Sequence, residues 1–355
     1  MKPLFYKIIL YSFILVAYVV TMSLTSAAQS KYKYDPNAPG KWTYTYLNES
    51  KGGYRSDANY VLAAADLAVF KKKINTVLET LHQNPVTLNP VGYEATVTAS
   101  IYANMFRYKY NPANLAGKIP ASEIVIRFCP LSREIATGNL RKDCIEVEHV
   151  TAWLNYLEST VAGVKILEDI DKRNPHDDAY GKMNEVFQAP EILKKIDDYT
   201  TVYANGIMIV AKPGKPYWIP VTAGEYFNLQ IKYWTLESEK EGNSMFLDMI
   251  LHEKKSFTEE QLKMPAYNGE NPASLITIVP NERPYMRFNP NFFDKKIPRT
   301  SIQMITLTIN KDIYVEGFNP KQYVQTDSRY TDILSFYNYS KAIDVKSLEA
   351  LLDTK

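Results

Sequence analysis

Hydrophobic and polar positions along the chain follow two periods, and the changes from one to the other mark out its elements. Residues 42–46 alternate with a period of two, which predicts a strand with Trp42, Tyr44 and Tyr46 on one face. From Asp66, an N-cap type, the period lengthens. Leu67, Phe70, Ile74, Val77, Leu78 and Leu81 then fall on one helical stripe, with Lys71, Lys72, Lys73 and Glu79 off it. Pro85 and Pro90 close that unit. Alternation returns over 93–101, with Tyr93, Ala95, Val97, Ala99 and Ile101 on one face and Glu94, Thr96, Thr98 and Ser100 on the other. Segments 123–129 and 144–150 read as further strands and 152–159 as a short helix.

A polar, turn-rich stretch follows at about 168–190. Beyond it, Asn205-Gly206 predicts a turn into a strand over 207–211. Thr222 and Glu225 have the spacing of a capping box, opening a helix that carries Tyr226, Phe227, Leu229, Ile231, Tyr233 and Trp234. Gly242 and Asn243 interrupt it before a second helical run over 245–252, and 256–259 starts a short helix. Segments 275–279 and 302–309 read as strands. Asp344 caps a last helix with Val345, Leu348, Leu351 and Leu352. The pattern implies an α+β protein, antiparallel sheet units packed with helices, in two halves. These are an α+β domain over 29–165 with a disulfide hairpin and one over 201–355 with longer helices, joined by a connection over 166–200. Seven Asn-Pro steps punctuate the chain with turns.

The first 28 residues have a different character. Lys2 and Lys7 precede an uncharged apolar run over 8–20, and Ser26, Ala27 and Ala28 offer the small residues a signal peptidase requires. The expectation is a signal peptide over 1–28, cleaved after Ala28, and an exported protein, periplasmic or extracellular. No later apolar run approaches the length of a membrane span. The full chain has 41 Lys+Arg against 39 Asp+Glu. The leader holds two of those lysines and no acid, so its removal leaves a balanced chain with no electrostatic case for nucleic acid or anionic lipid.

Export also changes how Cys129 and Cys144 are read. An oxidising compartment favours a disulfide between them. Placed opposite each other in an antiparallel hairpin, they set Arg127 against Glu146, Val125 against Glu148, Phe128 against Ile145, Ile126 against Val147 and Ile124 against His149. That register sorts one apolar face from one carrying the disulfide and an ion pair.

Catalytic signals are sparse. Glu146 and Glu148, beside Arg127, are candidate paired carboxylates for glycoside chemistry, and His149 is a further candidate. Asp169, Asp171, His176, Asp177 and Asp178 read as a solvated acidic loop. His252-Glu253 opens like a zinc-protease helix but has Ser256 where the second ligand belongs. No nucleotide, serine-elbow or metal-knuckle motif occurs, and nothing calls for a cofactor or a metal. Aromatic platforms remain: Trp42 and Tyr44 on the first strand, and Tyr217 and Trp218 in a loop between Pro216 and Pro220. Such rings more often fill cores, and when exposed they stack on sugars. The expected function is an exported binding or envelope-associated protein without catalytic activity. Its ligand or protein partner is unidentified, carbohydrate being one chemistry that fits. The rival is an exported hydrolase built on carboxylates.

Overall fold

A computed structural model describes residues 31–50, 63–102, 120–145, 147–156, 164–167, 186–188, 191–269, 276–281, 284–289, 291–294, 296–320 and 329–353. The leader, Glu146 and the acidic run at 169–178 lie outside them.

In chain order the strands and helices are β1 (Tyr32–Tyr34), β2 (Trp42–Ser50), α1 (Ala64–His82), α2 (Pro85–Leu88), β3 (Tyr93–Tyr102), β4 (Ala121–Glu134), β5 (Leu140–Lys142), β6 (His149–Leu154) and β7 (Val164–Leu167). They continue with β8 (Val186–Gln188), β9 (Ile192–Lys195), β10 (Thr200–Tyr203), β11 (Ile207–Ala211), β12 (Trp218–Pro220), α3 (Ala223–Glu241), α4 (Met245–Lys255) and α5 (Glu259–Leu262). The last are β13 (Tyr267–Asn268), β14 (Ile276–Thr277), β15 (Tyr285–Phe288), β16 (Met304–Thr308), α6 (Arg329–Lys341) and α7 (Val345–Glu349). The protein is α+β, with sheets packed against helices.

The main sheet runs β2-β3-β4-β6-β16-β11-β10-β9, with β1 and β5 added to the outer end of β4. β2 and β3 pair in parallel and the other neighbours antiparallel. A parallel pair needs a crossover, and α1 supplies it. β16, late in the chain, inserts between β6 and β11 and so joins strands from both ends of the sequence into one sheet. β8 and β9, from the stretch read as a connection, also pair into sheets.

Period decides burial on both sides of the first interface. Phe70, Ile74, Val77, Leu78 and Leu81 of α1 pack on Ala95, Val97, Ala99 and Ile101 of β3, and all are buried. α6 and α7 complete this layer with Tyr339 and Leu348. β11 is buried on both faces: Met208 and Val210 join this core, while Ile207, Ile209 and Ala211 join a second one with Phe187, Trp218 and Phe292. That explains why it reads as a continuous apolar run. The predicted capping box closes α3, with the Thr222 N–H donating to Glu225 Oε2 at 3.0 Å and the Glu225 N–H to Thr222 Oγ1 at 3.2 Å. Gly242 ends α3 at φ 70°, a left-handed conformation that glycine adopts without strain.

Cys129 and Cys144 are bonded, with Cα atoms 4.7 Å apart. The register predicted from them holds only outside the bond, where Leu131 faces Lys142 and Arg133 faces Leu140. On the inner side Arg127 faces His149, Ile126 faces Val150 and Ile124 faces Ala152. His149 therefore lies exposed opposite Arg127, and not on the apolar face. Cys144, Ile145, Val147 and Glu148 belong to no strand, and the predicted helix over 152–159 is replaced at its start by the continuation of β6 to Leu154. Glu94, on the polar face of the β3 alternation, is 6% exposed, and Lys142 Nζ of β5 lies 2.5 Å from its Oε1.

Candidate ligand-binding groove

β2 is an edge strand of the sheet, and α1 lies across the neighbouring β3. Trp42 registers with Ala95 and Tyr44 with Val97, so both side chains point to the face that α1 covers. A register shift then follows, and Tyr46 pairs with Thr98. Of the predicted three-residue stripe, Trp42 and Tyr44 have described side chains, and that of Tyr46 lies outside the description. A bulge of this kind re-aims a strand at a sheet edge.

α1 meets these two rings with a polar strip. Asn75, Glu79 and His82 stand beside the buried stripe at helical spacing i, i+4 and i+7. Together with Trp42, Tyr44 and Leu78 they line a groove of about 310 Å³. The Trp42 indole and the His82 imidazole stack, with centroids 4.4 Å apart and planes 16° from parallel. Tyr44 remains 40% exposed. Burial holds the His82 imidazole below its ordinary value, so it is neutral at physiological pH. Burial likewise raises the Tyr44 phenol, which stays protonated and can donate. Among the described residues, no side-chain hydrogen bond or ion pair engages Asn75, Glu79 or the His82 ring. The groove therefore combines two aromatic faces with uncommitted amide, carboxylate and imidazole groups.

The other predicted residues are placed as follows. Trp218 belongs to β12 and is buried, with its ring 5.3 Å from Tyr203 and 5.7 Å from Phe187. Tyr217 packs edge-on to Phe292 at 5.5 Å, its phenol raised by burial. This pair fills a core and presents no open platform. Arg127 faces His149 and makes no ion pair among the described residues. Glu148 meets Asp332, which sequence reasoning missed: the Glu148 N–H donates to Asp332 Oδ2 at 2.9 Å. Partial burial first, then the Asp332 charge, raise the Glu148 carboxyl, while His149 opposes them. Burial raises Asp332, opposed by the N–H groups of Glu148 and Ile333. The carboxylate of Asp332 thus serves as a strap between α6 and the return segment of the disulfide hairpin. Glu146 lies outside the described residues.

Asn75, Glu79 and His82 were also missed. Their signal was their shared spacing next to an apolar stripe, which a search for catalytic motifs passes over. Compared with protein-family models, curated proteins and solved structures, the chain matches none of them.

Proposed function

We propose that this is an exported, non-catalytic binding protein that takes a carbohydrate in the groove between β2 and α1. The observation that carries this reading is the Trp42–His82 stack continued by exposed Tyr44, facing Asn75 and Glu79. Aromatic faces match the C–H face of a sugar ring, and the amide and carboxylate match its hydroxyls. A site of mostly apolar surface with a few placed polar groups is the usual form of a small-ligand site. Export is supported by the leader pattern and by the disulfide, which suits an oxidising compartment. Among the described residues no helix is long and apolar enough to cross a membrane.

Indole fluorescence of the mature chain titrated with chitotriose, cellotriose and maltotriose tests the proposal. One of them should shift the emission saturably, and Trp42→Ala should abolish the shift. No response to any of the three, or a response that survives Trp42→Ala, overturns it. A mature N-terminus at Gln29 checks the export step.

A further inference from the structure

A second cavity, of about 390 Å³, lies away from the groove, where four segments of the chain meet. The turn after β11 contributes Lys212 and Lys215, with Gly214 between them at φ 123°, a conformation that L side chains rarely adopt. The stretch before β16 contributes Phe292, Asp294 and Ile297, the residue preceding β16 is Gln303, and the C-terminal segment contributes Asp353.

The walls are fixed by their own hydrogen bonds. The Asp294 N–H donates to Gln303 Oε1 at 2.7 Å, and Gln303 Nε2 returns a bond to the Asp294 carbonyl at 3.1 Å. Asp353 Oδ2 accepts from the Ile302 N–H at 2.5 Å and pairs with Lys73 Nζ at 2.7 Å. The carboxylate of Asp294 accepts the Lys296 N–H at 2.9 Å. Both acids are therefore committed. The two lysines are not: neither half-buried Lys212 nor exposed Lys215 makes an ion pair or side-chain hydrogen bond among the described residues. Phe292, itself buried, and half-buried Ile297 give the cavity an apolar side.

We infer that this cavity binds a small organic anion, its charge held by Lys212 and Lys215 and its apolar body laid against Phe292 and Ile297. An ammonium with no carboxylate partner gains from an anionic one, and charge-assisted hydrogen bonds are the strong ones. The volume suits a ligand of small-metabolite size. Lysines act as point charges and do not demand the planar fork that arginine offers, so a carboxylate or a sulfonate head serves equally. This site is separate from the proposed sugar groove and does not depend on it.

Calorimetric titration of the full mature chain with 3-phenylpropanoate, 3-phenylpropan-1-ol and inorganic phosphate separates the two requirements. The acid should bind, and the alcohol and phosphate should not at the same concentration. Lys212→Gln and Lys215→Gln should each weaken the acid about tenfold, the order expected for one charged hydrogen bond, while Lys215→Arg should retain it. Equal binding of acid and alcohol, saturation by phosphate alone, unchanged affinity in the double glutamine variant, or no binding of the acid at millimolar concentration would each overturn the inference. Thermal melts of the same variants confirm that they are folded.

Discussion

Trp42 and His82 lie face to face across the seam between β2 and α1, with 4.4 Å between ring centroids. The contact ties an edge strand to the last turn of the helix that crosses over from it. It also sets the charge state of the histidine, since burial lowers the imidazole below its ordinary 6.5.

That direction gives the first prediction. A histidine whose folded-state pKa lies below its unfolded value adds stability above the unfolded value and loses it as pH falls through the folded one. Protonated imidazole also quenches a neighbouring indole. Tryptophan emission should therefore drop with a midpoint below 6.5, and His82→Gln should remove that step. A midpoint at or above 6.5 would show that the ring is not desolvated by the stack.

Asp332 and Glu148 predict the opposite slope. Both carboxyls are raised in the folded state. Their contribution is therefore fully present below the unfolded values of about 4 and is lost as pH rises through the folded ones. Asp332→Asn keeps an acceptor but drops the charge. Compared with the parent between pH 4 and pH 7, its urea midpoint should gain as pH rises. Asp332→Ala leaves the Glu148 N–H unpaired and should cost about 1–3 kcal/mol throughout. A constant offset between Asp332→Asn and the parent would rule out the charge argument.

How far the sequence reaches is visible in the same region. The stripe of α1 and the alternation of β3 were legible because one period and one interface decide all their positions. The hairpin was not, although its disulfide was. Outside the bond Leu131 faces Lys142, and inside it Arg127 faces His149. Phe128, Cys129 and Pro130 of β4 separate the two registers, and on the return side Ile145 is 76% exposed. A bond between two sulfurs fixes one distance, and the chain on its far side remains free to change register. The groove was half legible. Trp42 and Tyr44 stood out as aromatics, but Asn75, Glu79 and His82 acquire meaning only when the crossover lays α1 beside β2.

A third prediction concerns Asp197, which anchors the approach to β10 against α7. Lys346 Nζ donates to Asp197 Oδ2 at 2.6 Å and to Glu349 Oε2 at 2.7 Å. Burial alone would raise Asp197. The bond from Lys346, the contact with Glu349 and the N–H groups of Tyr199 and Thr200 outweigh burial and hold its carboxyl at about 2. The sign is that of a depressed acid: stability is present above the unfolded value near 4 and is lost as pH falls toward 2. Lys346→Met should lower stability modestly at pH 7, the lysine being 72% exposed, and should shrink the loss of stability between about pH 4 and pH 2. An unchanged acid limb would mean that the backbone N–H groups alone set the value.

The last prediction separates the two tethers of β5. This strand has three exposed residues and is held by its pairing with β4, by the disulfide and by the bond from Lys142 to Glu94. Replacing both cysteines with alanine removes a closure of 15 residues and should cost about 3 kcal/mol in the chain-entropy account. Glu94→Ala acts differently. It deletes a buried partner of Thr43 and Lys142, so its cost falls on the native state, chiefly as lost hydrogen bonds to a charged group. Amide exchange distinguishes the two. Loss of the disulfide should raise exchange over 135–148 while the amides of 95–101 stay protected relative to global unfolding. Glu94→Ala should deprotect the adjoining β2–β3 amides, because Thr43 loses its acceptor as well. If both variants exchange alike, the hairpin opens as one unit with the sheet, and the disulfide and the ion pair are redundant clamps on a single cooperative element.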